Sequence, residues 1–189
     1  MDINKIIEII KSRLSEERFV HSMNVAKQAK FLGEIYGEDT EKLYLAGVVH
    51  DACKEIPYDE QLNIIKSGGI EFDKYAMHQE KIWHAVAGSV FIQKELEIFD
   101  EQVIDAVRYH TTAKENMDTF SKIVYISDIT SDERDYPQVD LVRKLAKEDL
   151  DSAVLMSLEF TINKLMKLGK MLNNDTVLAY NRCVLKKAD

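Results

Sequence analysis

Glycine and proline are scarce in this chain, 7 and 2 among 189 residues. With so few turn formers beside many Lys, Glu, Leu and Ile, helix is favoured over strand. Cysteine is as rare as proline, and Cys53 and Cys183 stand too far apart for a CxxC pattern. That argues against a disulfide scaffold and for the reduced thiols of a cytosolic protein. No apolar run approaches the roughly 20 residues of a membrane span, so no membrane partner is expected. The stretch Met1-Asp2-Ile3-Asn4-Lys5 lacks the charged and apolar regions of a signal peptide, and a cytoplasmic location is expected. Positive charge is also in deficit. The net charge is −8, which leaves no general basic surface for DNA or RNA. An anionic substrate has to be met locally, by a metal and a few Lys and Arg. There is no HExxH, P-loop or GxGxxG in the chain. The Glu-x-x-His pairs of ferritin-like di-iron bundles are absent too.

What remains is helical periodicity. The apolar fraction is 46%, and the length suits a single domain over 1–189. Ile3, Ile6, Ile7 and Ile10 recur at helical spacing. Ser15-Glu16-Glu17 reads as a capped start, and Gly37 as the C-cap of the helix it opens. Asp39 or Thr40 caps the next helix, which runs through Leu43, Leu45, Ala46, Val48 and Val49 into His50-Asp51. A short helix spans about Asp59 to Lys66. Residues 70–81, with Tyr75 and His78, are the least regular part and read as a loop over a site. Further helices are expected from Ile82, after Asp100, from Thr119 or Ser121, over Val139 to Ala146, over Leu150 to Leu168 and over Thr176 to Lys186. No window alternates like a strand. The expectation is an all-α domain of about eight to ten helices. Its metal-site core spans about 15–135, and C-terminal helices over about 139–189 complete it.

The stretch that organises the chain is His50-Asp51, an imidazole and a carboxylate at the end of an apolar helix. Burying such a pair costs several kcal/mol unless both are satisfied. A metal ion satisfies both, because neutral imidazole and carboxylate are ordinary ligands. His21, His84 and His110 share an apolar helical setting, and Asp128 lies inside the run Ile123 to Ile129. Asp is almost never fully buried unpaired. Six ligand-type residues on the inward side of five helices point to a metal centre.

The order His21…His50-Asp51…His84…His110…Asp128 resembles the HD-domain phosphohydrolase superfamily, an all-α helical bundle with the metal at its centre. The resemblance implies that His21, His50, Asp51 and Asp128 hold a metal. It implies that His84 and His110 hold a second metal or face substrate phosphates. Shorter stretches look like the YqeK-like group of small bacterial HD-domain hydrolases, which cleave diadenosine tetraphosphate symmetrically into two ADP. These are Arg18-Phe19-Val20-His21-Ser22, His50-Asp51-Ala52-Cys53-Lys54-Glu55-Ile56-Pro57, Arg108-Tyr109-His110-Thr111-Thr112, Ser127-Asp128…Arg134-Asp135-Tyr136-Pro137, and the tail Asp175-Thr176-Val177…Tyr180-Asn181. Two departures stand outside the ligand positions: Ala85 where that group commonly has Gly, and Thr130-Ser131 where it commonly has Glu-Pro.

A metal with an open position lowers the pKa of bound water and makes a nucleophile near neutral pH. Cleavage of a phosphoanhydride then needs in-line attack and neutralised phosphate oxygens. Arg18, Lys54 and Arg134 are the cations expected to supply that charge, and Thr111 joins them as a substrate-binding residue by its place in the resembling motif. Lys54, one helical turn beyond Asp51, can point at the same pocket. His84 or His110 suits proton transfer to the leaving group, and Asp51, Lys54, His84 and His110 form the expected catalytic group. The N/O ligands admit manganese, nickel, zinc, magnesium and cobalt as well as iron; iron is what the resemblance implies. The expected partner is a dinucleoside polyphosphate or other nucleotide, and a homodimer is compatible with the reading. Two rivals use the same residues: an HD-domain nucleotidase or cyclic-nucleotide phosphodiesterase, and a non-catalytic nucleotide-binding regulator.

Overall fold

The computed structural model describes residues 1–188. Ten α-helices make up the described chain, with no strand among the described residues: α1 (Ile3–Arg13), α2 (Glu16–Tyr36), α3 (Thr40–Val49), α4 (Tyr58–Ser67), α5 (Trp83–Lys94), α6 (Glu101–Tyr109), α7 (Thr119–Thr130), α8 (Val139–Glu148), α9 (Leu150–Lys167) and α10 (Asn174–Ala188). The all-α expectation is met. Local chemistry sets most ends. Ser15 Oγ accepts from the Arg18 N–H at 3.3 Å, and Gly37 takes the left-handed conformation (φ 70°) that closes α2. Side chains of Asp39, Asp100, Asp118 and Asp149 cap α3, α6, α7 and α9. The cap of α7 is Asp118, one residue before the expected Thr119, because its carboxylate reaches the Ser121 N–H at 2.8 Å. The last helix begins at Asn174 rather than Thr176. The irregular stretch 70–81 contains two single 3₁₀ turns, Ala76–His78 and Glu80–Ile82.

The helices least polar around their circumference lie at the centre. Helices α3, α5 and α7 bury half or more of their residues, among them Leu43, Val48, Val49, Phe91, Ile92, Phe120, Ile123 and Ile126. Helix α2 packs across α3 and α7, α6 lies against α5 and α7, and α9 backs α7. Helices α6 and α8 are amphipathic and lay one face on this centre. The α2–α3 pair approaches so closely that Gly47 lies against Ala26: a Cβ on Gly47 would stand 2.4 Å from the Ala26 Cα. Glu55 fastens the entrance of α2 to the turn after α3. Its carboxylate accepts from the Ser15 N–H at 2.5 Å and the Ser15 hydroxyl at 2.8 Å. Arg13 stacks over Phe91, 4.1 Å to the ring centroid, and donates to the Ala52 carbonyl at 3.2 Å. These contacts set His21 opposite His50-Asp51.

Candidate metal centre

All six ligand-type residues converge. His21 lies on α2, His84 is the second residue of α5, and Asp128 lies two residues before the end of α7. His50 and His110 each occupy the position just past a helix, α3 and α6. There the last carbonyls lack intrahelical partners. His50 Nδ1 donates to the Gly47 carbonyl at 2.7 Å, and His110 Nδ1 to the Val107 carbonyl at 2.7 Å. Each bond satisfies a terminal carbonyl and turns Nε2 inward, the ring orientation a metal ligand requires. The imidazoles adjoin in a chain, with ring centroids 5.3 Å apart for His21–His50, 4.9 Å for His50–His110 and 5.2 Å for His84–His110.

Asp51 divides the centre. Its Oδ2 lies 3.8 Å from His21 Nε2 and 3.6 Å from His50 Nε2. Asp128 Oδ1 completes that side, 3.0 Å from His21 Nε2 and 3.9 Å from His50 Nε2. Ligand atoms held about 2.0–2.2 Å from one metal stand roughly 3.0–3.6 Å from one another, so the set fits one ion with little adjustment. The strongest sign is His50 Nε2, buried with no hydrogen-bond partner. A buried acceptor left unmade costs about 1–3 kcal/mol, and a metal ion removes that cost. On the other side, Asp51 Oδ1 lies 3.2 Å from His84 Nε2 and 3.4 Å from His110 Nε2, though neither contact is a well-aligned hydrogen bond. His84 and His110 Nε2 are 3.3 Å apart, and Lys54 Nζ sits 3.1 Å from His84 Nε2.

Protonation follows from burial and charge. Burial pushes His50 and His84 down to about 4, so both are neutral and ready to ligate at physiological pH. Burial alone would raise Asp51 and Asp128. The neighbouring histidines, His50 first for Asp51 and His21 first for Asp128, outweigh it and hold both carboxyls well below the usual range.

Three cations surround the cluster. Arg18 Nη1 lies 3.1 Å from Asp51 Oδ2, and Arg134 Nη2 lies 2.5 Å from Asp128 Oδ1. Their side chains are 28% and 35% exposed beside buried histidines and Asp51, so the centre opens to solvent on their side. Lys54 does not continue a helix. Residues after His50 form a turn, closed by the Lys54 N–H on the Asp51 carbonyl at 2.9 Å, which still brings the ammonium into the cluster. Thr111 lines a neighbouring cleft of about 310 Å³ with Phe72, Tyr75 and Tyr109, and its buried hydroxyl has no partner. Cys53 is buried and Trp83 is part of the core.

One residue at the centre was not singled out in the sequence. Glu133 bonds His21 Nδ1 through Oε1, and its oxygens accept from Asn24 Nδ2 at 2.8 Å and Ser131 Oγ at 2.7 Å. Burial opposes its charge, but the bonds from His21, Ser131 and Asn24 bring its pKa down to about 2. An acid in the charged loop 131–137 reads as solvated, and nothing in its spacing marks it.

An all-α bundle enclosing four histidines and two aspartates is a divalent-metal-binding architecture, and the model of the HD domain matches residues 18–133; the chain belongs to the HD-domain family. It is 34% identical to the symmetrical bis(5'-nucleosyl)-tetraphosphatase of Bacillus subtilis, over 96% of this chain and 97% of the relative. It is 33% identical to the protein of the same name from Halalkalibacterium halodurans, over 99% of this chain and all of the relative. Among solved structures it resembles a Clostridium acetobutylicum protein described as an HD superfamily hydrolase involved in NAD metabolism. That match has a TM-score of 0.96 and 35% identity, and it covers 98% of both chains.

Proposed function

We propose that this protein is a metal-dependent hydrolase that cleaves diadenosine tetraphosphate symmetrically into two ADP. The observation that carries the reading is the intact centre of His21, His50, Asp51 and Asp128, flanked by Arg18, Lys54 and Arg134. It is supported by near-full-length likeness to relatives named for that reaction. Those four residues hold the metal. When bound, the metal supplies Lewis acidity, activating water and drawing charge from a phosphate oxygen. Iron is our assignment among the metals that N/O ligands accept.

The chain's own groups supply the rest. Arg18 and Arg134, at the open side, bind the phosphate oxygens, with guanidinium forks suited to phosphate. Water oxygen bonds to one central phosphorus while that phosphorus's own bond to the central bridging oxygen breaks; the bridging oxygen leaves on the other phosphorus as the second ADP and takes up a proton, and the attacking water gives up one to solvent. His84 is neutral in the resting protein and accepts from the ammonium of Lys54 at 3.1 Å. Lys54 is therefore the proton-bearing group of that pair, and His84 aims it. His110, with its Nδ1–H given to Val107, turns Nε2 to the same space, and Thr111 lies at the substrate's edge. The two thiols, Cys53 and Cys183, are free and agree with a cytoplasmic enzyme. No described helix is long and apolar enough to cross a membrane.

The experiment is chromatography of products from diadenosine tetraphosphate, with iron and other divalent metals supplied in turn. ADP as the sole product is expected. ATP with AMP overturns the symmetrical reading, and phosphate release from AMP alone returns the protein to the nucleotidases.

A further inference from the structure

A symmetrical substrate carries a nucleoside at each end of its phosphate chain, and the centre described above accounts only for the phosphates. Beside it lies a cleft of about 510 Å³ between the α7–α8 connection and α9, within the roughly 300–1,000 Å³ of small-molecule sites. One residue joins the two. Arg134 lines the cleft and also donates to Asp128, through Nη2 to Oδ1 at 2.5 Å and Nε to the backbone carbonyl at 2.8 Å. Arg134 thus stands at both the phosphate-facing centre and the cleft.

Two aromatic residues line the cleft, one from each side. Tyr136 and Phe160 lie with ring centroids 5.4 Å apart and planes tilted by 35°. Phe160 is 38% exposed, although its apolar ring gains nothing by facing water. Both line the cleft, along with Ser157, Thr161 and Lys164. Ser157 already donates to the Ala153 carbonyl at 2.8 Å, which leaves Gln138, Thr161, Lys164 and the acids Glu17 and Asp135 as the polar groups around the two rings. A flat apolar surface reached through a guanidinium is the chemistry that receives a base attached to a phosphate.

We propose that this cleft is the subsite for one nucleoside of the dinucleoside polyphosphate, its base lying against Phe160 and Tyr136 and its phosphate passing under Arg134. The proposal rests on the hydrolase reading. Stacking favours any base, so the cleft distinguishes a nucleoside from no nucleoside more strongly than adenine from guanine.

The test is calorimetric titration of the metal-loaded protein with two probes: diadenosine tetraphosphate whose central bridging oxygen is replaced by methylene, and inorganic tetraphosphate. Phe160→Ala is expected to weaken the methylene analogue roughly 10-fold and leave inorganic tetraphosphate within about 2-fold. Phe160→Tyr, which keeps the ring, restores the analogue's affinity. A thermal midpoint equal to the parent's certifies the fold, and Tyr136→Leu tests the same aromatic pair if Phe160→Ala unfolds. Equal affinity of parent and Phe160→Ala for the analogue overturns the proposal, as does equal weakening for both probes or a parent that does not bind the analogue. Failure of the hydrolase reading appears separately, as a parent that leaves diadenosine tetraphosphate uncut while still binding the analogue through Phe160.

Discussion

Replacing Gly47 with alanine sets two effects against each other. Gly47 lies inside α3, and alanine there would gain about 1 kcal/mol of helix propensity. The new Cβ, however, would stand 2.4 Å from the Ala26 Cα, 2.7 Å from its N and 3.1 Å from its Cβ. Carbon atoms in contact prefer about 3.5–4.0 Å, and two of these neighbours are backbone that no rotamer change can move. The α2–α3 pair must therefore part by about 1 Å. Overpacking of this kind costs roughly 1–3 kcal/mol, and the parting also strips contacts from Val25, Ala29 and Ala46, all fully buried. The net expectation is a loss of about 2 kcal/mol, or about 1 M in urea midpoint for a slope near 2 kcal/mol/M. The same shift moves His21 on α2 away from His50 and Asp51 after α3. Metal sites tolerate about 0.2 Å, so metal affinity falls with stability. Gly88→Ala is the control. Its Cβ would meet only a Val107 methyl at 3.3 Å and the His50 carbonyl at 3.6 Å, so its stability should change by less than about 1 kcal/mol. Urea unfolding of the metal-free proteins and metal titration of the folded ones measure both quantities. A Gly47→Ala protein as stable as the parent, with undiminished metal affinity, refutes the close-packing argument.

His50→Ala and Asp51→Ala should each abolish bound metal and activity together, as elemental analysis of the purified variants will read; full occupancy in both would sink the ligand assignment. Glu133→Gln retains the shape but gives up the charge on His21 Nδ1, and metal affinity should fall about 10-fold or more, measured against a chelator series; an unchanged affinity would leave Glu133 a surface acid. Lys54→Ala and Arg134→Ala should lower turnover of diadenosine tetraphosphate with metal content and melting temperature retained, and unchanged kinetics in both would remove them from the phosphate site.

How much could be read in advance varies by element, and the reason is range. The ends of α2, α3 and α6 depend on Ser15, Gly37, Asp39 and Asp100 acting on backbone within four residues, so they were legible in the chain itself. Helix α7 was displaced only by its cap, since Asp118 and Thr119 are adjacent claimants. The candidate ligand residues were conspicuous for a different reason. His50, Asp51 and Asp128 are polar groups in apolar helices, and burial makes such residues costly unless something satisfies them.

The amino-acid sequence by itself determined an all-α chain and the six residues that bury imidazole and carboxylate. Only the tertiary structure decided how they are shared. It set Asp51 between two sides of one centre, put Arg18 and Arg134 on the carboxylates they neutralise, and brought Glu133 to a histidine 112 positions away. It also brought Tyr136 of the α7–α8 connection beside Phe160 of α9 to line one cleft. Each of these depends on the distance between helices, which is fixed by side chains far apart in sequence packing at single points such as Gly47 on Ala26. Periodicity and capping act along one helix and carry no information about that distance.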